Sequence, residues 1–191
     1  MPDLRPLALP VAVGILAAIV LWPSSSEASA PPPPPRGPIV PGGSILSRYG
    51  LRRTASGGRM THYGIDLSAR RGTPVLSPAR GTVASVYVDG EVSGYGNLVV
   101  VRYGDLGLLY AHLDTIGVRA GQVVEAGQPI GTVGSTDSTE GGFSSSGSHL
   151  HLEVMVPAAG RVERELVHFT QTTPPRSDPE AWAAASGVRL V

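Results

Sequence analysis

The sequence GSHLHLEV at residues 147–154 decides the fold of this chain, because apolar and polar residues alternate along it. In an extended strand, successive side chains leave opposite faces of the sheet. A strand here directs His149, His151 and Glu153 to one face, and its leucines and valine to the other. The pattern is typical of a strand that packs on a core and presents two imidazoles to a cleft. The alternative is that both histidines lie on the wet face of an antiparallel sheet.

The surrounding region has the character of an all-β domain. Between about residues 43 and 170, short β-type runs are separated by glycine, and the clearest are residues 73–75, 81–88, 97–103 and 107–112. This spacing favours a sandwich or a barrel over alternating strands and helices. Residues 104–107 predict a hairpin loop between two of the runs.

The C-terminal tail, residues 171–191, carries the signals of a short helix. Asp178 can cap its N-terminus, Pro179 suits the first helical position, and Gly187 can end it. We therefore expect a short terminal helix after the β-domain.

The first 30 residues predict an export signal or a membrane anchor. Residues 7–22 are apolar apart from one proline, and their length falls slightly short of the roughly 20 residues that a spanning helix needs. The small residues at 28–30 fit a cleavage site, whereas Pro31 directly after them favours retention. Either outcome predicts an exported protein, and the proline-rich residues 31–42 predict a stiff spacer.

Composition narrows the function classes further. With 41% hydrophobic residues, the 191-residue chain can bury the core of one domain. Fifteen basic and fifteen acidic side chains balance without a run of lysine or arginine, so we expect no nucleic-acid partner. The chain lacks cysteine, so any metal must be bound by histidine and carboxylate.

Four of the five histidines lie in β-type or glycine-turn contexts, where a rigid site can be built. With one aspartate they give five candidate groups, namely His62, Asp66, His112, His149 and His151. A catalytic zinc site takes three nitrogen or oxygen ligands and leaves one position open, and these groups permit three histidines or two histidines and a carboxylate. A His-Glu-x-x-His helix is absent from the sequence, so proton transfer would fall to the histidines left over from coordination.

Three motifs, in this order, resemble those of the lysostaphin-type (LytM-domain) zinc metalloendopeptidases. They are His62-x-x-x-Asp66 with Gly64 inside it, Tyr110-Ala111-His112-Leu113, and His149-Leu150-His151. Supporting matches at residues 72–75, 94–97 and 118–122 extend the resemblance over about residues 45–156. It implies a compact antiparallel β-sheet domain with a substrate groove over residues 43–170.

The resemblance also implies a role for each candidate. In the family pattern His62, Asp66 and His151 bind one Zn²⁺ per chain. His112 and His149 then form the catalytic pair beside the metal-bound water and the oxyanion. The family substrates are peptide cross-links or bridges of bacterial peptidoglycan. The resemblance therefore implies an envelope peptidase that hydrolyses an amide bond.

Two other functions stay open. The first is a non-catalytic regulator or scaffold of the same fold that binds cell-wall hydrolases or peptidoglycan; such members usually lack a site residue, and this chain lacks none. The second is a zinc enzyme that cuts a peptide outside the wall.

Four further features have open interpretations. The polar residues 137–146 make a longer link than the family usually has, which is either a groove-rim loop that narrows substrate choice or a neutral insertion. Asp114 could orient His112, or be a solvated turn residue. Tyr110 could line the groove or pack in the core. His168 is interpreted as a surface or packing residue.

Overall fold

The computed structural model describes residues 37–53, 57–88, 94–136, 147–156 and 176–191. Within these ranges the chain forms thirteen short strands and one helix, α1 (Pro179–Ser186). In chain order the strands are β1 (Ser44–Ser47), β2 (Gly50–Arg53), β3 (Arg59–His62), β4 (Ile65–Ser68), β5 (Pro74–Leu76), β6 (Gly81–Tyr87), β7 (Leu98–Tyr103), β8 (Leu106–Ala111), β9 (Leu113–Ile116), β10 (Val123–Val124), β11 (Pro129–Val133), β12 (His149–Met155) and β13 (Arg176–Ser177).

The largest sheet is antiparallel and runs in the order β1-β4-β12-β8-β7-β6-β10, with β13 also paired to β12. Two smaller sheets have the orders β5-β11-β9 and β2-β3. The predicted all-β class is confirmed, and in the part of the chain that the structure describes these sheets form no closed barrel. The predicted hairpin is also present, because β7 and β8 pair directly across the turn at residues 104 and 105.

Strand β12 lies in the centre of the large sheet. Its residue His151 is opposite Asp66 of β4 on one side and Ala111 of β8 on the other. All seven residues of β12 are buried, so the wet-face interpretation of its histidines is wrong. The reason is that the sheet has buried side chains on both faces. Leu150 and Leu152 belong to the main core, whereas Met155 packs in a second cluster.

The predicted terminal helix is confirmed. The Asp178 carboxylate accepts a hydrogen bond from the Glu180 N–H at 2.9 Å, and Gly187 ends the helix with a left-handed φ of 68°. The tail packs on the domain, since Ala183 and Leu190 are part of the main core. Residues 176–191 are therefore built into the same core as the sheet.

The two ends of the described chain meet. Ile39 and Val40 donate backbone hydrogen bonds to the carbonyls of Arg189 and Leu190, each at 2.9 Å. Both residues fall in the predicted spacer, yet they are fully buried in the main core. The predicted boundaries of the β-domain at residues 43 and 170 stay predictions.

The predicted export segment, residues 1–30, lies outside the described residues. Within those residues, no helix has the length and apolar character needed to cross a membrane.

Candidate metal centre

Three ligand-type atoms meet where β3, β4 and β12 converge. His62 Nε2 lies 3.1 Å from both Asp66 Oδ1 and His151 Nδ1, and Asp66 Oδ1 lies 2.8 Å from His151 Nδ1. Zinc ligands at about 2.0 to 2.1 Å in a tetrahedron lie roughly 3.3 Å apart, so the separations fit one such ion. Two imidazoles and a carboxylate are also a donor set that zinc accepts. The three residues could therefore hold a metal ion.

The tautomer of His62 is set by the backbone of a neighbouring segment. Its Nδ1 lies 2.8 Å from the carbonyl oxygen of Arg48, which can only accept a hydrogen bond. The proton therefore sits on Nδ1, and Nε2 offers a lone pair to the cluster. His62 ends β3, and its backbone pairs with Gly50 of β2.

His151 is held between two carboxylates. Its Nδ1 faces Asp66, while its Nε2 lies 3.1 Å from Glu153 Oε1. Burial lowers the pKa of His151, but the hydrogen bonds to Asp66 and Glu153 outweigh it and raise the pKa to about 9. Without a metal, His151 is therefore an imidazolium at neutral pH, and a metal bound to Nδ1 would have to displace the proton there.

Asp66 stays ionised despite its burial. Burial alone would raise the pKa of its carboxyl, but hydrogen bonds from His151 and His62 lower it well below its usual range. The half-exposed Arg52 adds a cation, with its Nη1 3.6 Å from Asp66 Oδ2. The carboxylate is thus available as a ligand throughout the ordinary pH range.

Gly64 explains why glycine stands inside the first motif. A Cβ at this position would lie 2.4 Å from the Leu152 carbonyl oxygen and 2.8 Å from Cε1 of His151. Real side chains do not approach so closely, so His151 can occupy its place only beside a residue without a side chain. The motif glycine makes room for the ligand on β12.

The second pair of imidazoles, His112 and His149, lies next to this cluster, with the two rings tilted by 56° and their centroids 4.8 Å apart. The Nδ1–H of His112 donates to the Thr136 carbonyl at 2.9 Å, and that of His149 donates to the Gly147 carbonyl at 3.0 Å. Both carbonyls can only accept, so each ring carries a proton on Nδ1. The structure brings all five predicted residues together, since His149 Nε2 lies 3.9 Å from Asp66 Oδ1.

Burial lowers the pKa of His112 to about 4, and the positive charge of His151 adds to this effect. The hydrogen bond to Thr136 opposes the shift without reversing it. At neutral pH His112 is therefore an uncharged imidazole that can accept a proton. Its ring centroid lies 5.9 Å from that of His151.

The backbone of His112 is left-handed, with a φ of 60°. Residues other than glycine adopt this conformation in only a few per cent of cases, and it occurs often at functional sites. Here it ends β8 and begins β9, while the His112 and Leu113 N–H groups donate to the carbonyls of Tyr95 and Asn97 at 2.9 and 3.0 Å. The bend turns the imidazole into the cluster.

Sequence reasoning gave Glu153 no role, although it placed the residue on the histidine face. Glu153 is fully buried, and its Oε1 accepts a hydrogen bond from the Tyr95 hydroxyl at 2.8 Å. Its Oε2 accepts one from Arg176 Nε, also at 2.8 Å. Only the alternation along β12 hinted at this residue, because its partners stand 58 and 23 positions away.

The secondary expectations have different outcomes. Asp114 does not orient His112, because the left-handed residue breaks the strand alternation; instead Asp114 accepts a hydrogen bond from Arg71 Nε at 2.8 Å. Tyr110 is fully buried and its hydroxyl lies 2.9 Å from that of Tyr103, so it is a core residue. His168 and residues 137–146 lie outside the described residues.

Comparisons with known proteins agree with this geometry. The model of peptidase family M23 matches residues 60–164, which include all five site residues. The uncharacterized lipoprotein YgeR of Escherichia coli is 45% identical over 50% of this chain and 36% of its own length. The murein hydrolase activator NlpD of Escherichia coli is 36% identical over 59% of this chain and 26% of its own length. The chain thus spans about a third or less of these two relatives.

A solved structure of similar fold is the antimicrobial peptidase lysostaphin from Staphylococcus simulans. It aligns with a TM-score of 0.57 and 28% identity, covering 76% of this chain and 50% of that one. The resemblance that the sequence motifs predicted is therefore confirmed.

Proposed function

This chain belongs to peptidase family M23, and from that premise we propose that it is a zinc metalloendopeptidase that hydrolyses peptide cross-links or bridges of bacterial peptidoglycan. The observation that supports this most strongly is the complete set of five groups, His62, Asp66, His112, His149 and His151, in one buried cluster. The family is zinc-dependent.

In this proposal the zinc ligands are His62 through Nε2, Asp66 through Oδ1 and His151 through Nδ1. The support is that the outer nitrogen of each imidazole already has an acceptor, so the inner nitrogen is the one left for a metal. Zinc bound there would polarise the scissile carbonyl and lower the pKa of a water molecule.

His112 is the proposed general base. Its pKa of about 4 keeps Nε2 unprotonated at neutral pH, while the Tyr95 carbonyl fixes its backbone and the Thr136 carbonyl fixes its ring. It would take the proton from the attacking water and return it to the amine nitrogen as the carbon–nitrogen bond breaks. His149, beside it, is assigned to the oxyanion, to which it would donate from Nε2 as an imidazolium, since its Nδ1–H is already engaged with the Gly147 carbonyl.

We place the protein in the cell envelope. The supporting observations are the predicted export signal or membrane anchor in residues 1–30 and the similarity to YgeR, which is named a lipoprotein. Peptidoglycan is the proposed partner in that compartment.

A second candidate function is activation of other murein hydrolases without cutting. It is favoured by the 36% identity with NlpD, which is named a murein hydrolase activator. An activator needs the fold and a binding groove, but it does not need a neutral base beside three metal ligands.

The test is release of muropeptides from purified sacculi by the full zinc-supplied chain, with products identified by mass spectrometry. A peptidase releases products with newly freed amino groups when it acts alone, and a chelator or His151→Ala stops the release. Glu125→Gln is a matched control, because this exposed carboxylate pairs only with the exposed Arg80 in the part of the chain described. Release that survives both chelation and His151→Ala contradicts the proposal.

A parallel reaction separates the second candidate. A murein hydrolase with low activity of its own is added to the same sacculi, with and without the full chain. If the chain releases nothing alone but increases release by that hydrolase, and does so equally as His112→Asn, it is an activator.

A further inference from the structure

We propose that Glu153 is a positioning residue for the metal centre: its carboxylate, neutralised by Arg176, holds the Nε2–H of His151 so that Nδ1 faces the metal. This inference rests on the ligand assignment in the proposed function. It concerns a residue outside the three motifs that carry the family resemblance.

Among the four imidazoles of the cluster, His151 differs in what fixes its outer nitrogen. His62, His112 and His149 each donate to a backbone carbonyl, whose position follows from the fold. His151 instead lies 3.1 Å from the side chain of Glu153, two residues along the same strand face. An ionised carboxylate can only accept, so Nε2 carries a proton and Nδ1 is the nitrogen left for the metal. Its charge also makes that imidazole a stronger donor to a metal.

The environment of Glu153 fits a fixed, ionised group. The residue has no exposed surface, and an unpaired charge at such depth is strongly unfavourable. Arg176 supplies the opposite charge with its side chain only 4% exposed, and the Tyr95 hydroxyl donates a further hydrogen bond. With one oxygen directed to Tyr95 and His151 and the other to Arg176, the carboxylate is held in a single orientation.

Arg176 belongs to β13 in the C-terminal tail, which pairs with the end of β12. Met155 lies opposite Arg176 in that pairing, two residues beyond Glu153. The tail therefore reaches the metal centre by a chain of contacts, from Arg176 through Glu153 to His151. The C-terminal tail, which lies outside the three motifs, therefore helps to hold the proposed ligand His151 in place.

The experiment measures the zinc dissociation constant of the full chain by competition with a chromophoric chelator. Glu153→Gln keeps the size and an acceptor oxygen but removes the charge, and we expect the dissociation constant to rise about 10- to 100-fold. Glu125→Gln makes the same charge change at an exposed position and should leave the constant within about twofold. Nitrogen-15 shifts of the zinc-bound wild type should show the Nε2–H of His151, and the shift of that nitrogen should change in Glu153→Gln, where the acceptor has lost its charge.

A dissociation constant for Glu153→Gln within about twofold of wild type overturns the inference. Thermal unfolding with chelator present checks that the variant folds. Should Glu153→Gln not fold, Tyr95→Phe replaces it, because it keeps the charge and removes one hydrogen bond. Its expected rise is about threefold to tenfold, and an unchanged constant likewise overturns the inference.

The outcomes separate this inference from the proposed function. Zinc binding that is weakened in Glu153→Gln, without muropeptide release by the wild type, overturns only the peptidase. Release by the wild type with unaltered zinc binding in Glu153→Gln overturns only the positioning role. A wild-type chain that binds no zinc overturns both.

Discussion

The metal centre has two halves, the cluster around His151 and the pair around His112, and these two histidines differ in charge at neutral pH. His151 and His112 are equally buried and lie 5.9 Å apart, yet the pKa of His151 is raised to about 9 and that of His112 is lowered to about 4. The difference lies in the partners, since carboxylates flank His151 and a backbone carbonyl holds His112. Burial alone therefore does not set the protonation state of an imidazole, because the charge of its hydrogen-bond partners can outweigh it.

The two halves also differ in how they are held. His151 and Asp66 lie on adjacent strands in register, inside a sheet buried on both faces. The imidazoles of His112 and His149 are fixed through the carbonyls of Thr136 and Gly147, which flank residues 137–146, although the backbone of His149 is also part of β12. We therefore expect changes to the sheet-held half to act on metal binding and stability, and changes to the carbonyl-held half to act on the reaction rate.

The largest expected effect is that of His112→Asn on the carbonyl-held half. Asparagine tolerates the left-handed backbone at this position, so the substitution removes the base without forcing a refolded turn. We expect muropeptide release to fall about 10²- to 10⁴-fold while the zinc dissociation constant stays within about twofold. If His112→Asn binds zinc more weakly to the same degree that it loses activity, the two halves do not act separately.

Gly64→Ala tests the sheet-held half. The added Cβ must displace the Leu152 carbonyl or the His151 ring, so we expect the free energy of unfolding to fall by about 1 to 3 kcal/mol and zinc to bind more weakly. Urea unfolding and chelator competition measure the two effects. Gly117→Ala is the matched control, because its Cβ would meet nothing nearer than 3.6 Å. Equal losses in both variants would contradict the role of crowding at His151.

The opposed pKa values predict how pH changes the stability of the metal-free chain. The pKa of His151 is above its unfolded value of 6.5, so its stabilisation is complete below pH 6.5 and is lost as pH rises toward 9. The pKa of His112 is below 6.5, so the folded state binds fewer protons and loses stability as pH falls from 6.5 toward 4. Each change is on the order of 3 kcal/mol.

Urea unfolding in a chelator across this range measures both slopes, and we expect the contribution of these two groups to be greatest near pH 6.5. His112→Asn should remove the acid-side slope alone, and His151→Gln the alkaline-side slope alone. If either variant removes the pH dependence of stability on both the acid and the alkaline side, the two histidines titrate as one unit, and the comparison between them is wrong.

The smallest expected effect is that of Asp114→Asn. The Asp114 and Arg71 side chains are 23% and 65% exposed, so solvent screens the pair and it contributes little to stability. We expect the midpoint of urea unfolding to stay close to that of the wild type and muropeptide release to stay within about twofold. A large loss of release would restore Asp114 as a partner of His112.

The sequence predicted the parts of this molecule that depend on local pattern. Alternation identified β12 and the common face of His149 and His151, and capping residues identified the helix that begins at Pro179. The grouping of the five site residues followed from motifs whose spacing reflects real constraints, such as the space that Gly64 leaves for His151. The assignment of ligands and catalytic residues stays a prediction.

The parts that could not be predicted depend on distant partners. Glu153 reads as one more polar residue on a strand until Tyr95 and Arg176 are seen around it. The alternative in which Asp114 orients His112 fails, because one left-handed residue, His112, reverses the alternation on which it relied. Neither a long-range ion pair nor a single backbone angle leaves a periodic trace in a sequence.

The C-terminal tail is connected to the metal centre through two ion pairs. Arg176 pairs with Glu153 behind His151, and Glu180 pairs with Arg48, whose carbonyl fixes His62. Docking of the tail and occupancy of the centre are then linked equilibria, so each must favour the other by the same factor. A bound ion should protect the tail from proteases and hydrogen exchange. A ligand that bound the undocked tail would, for the same reason, lower the affinity of the site for the metal.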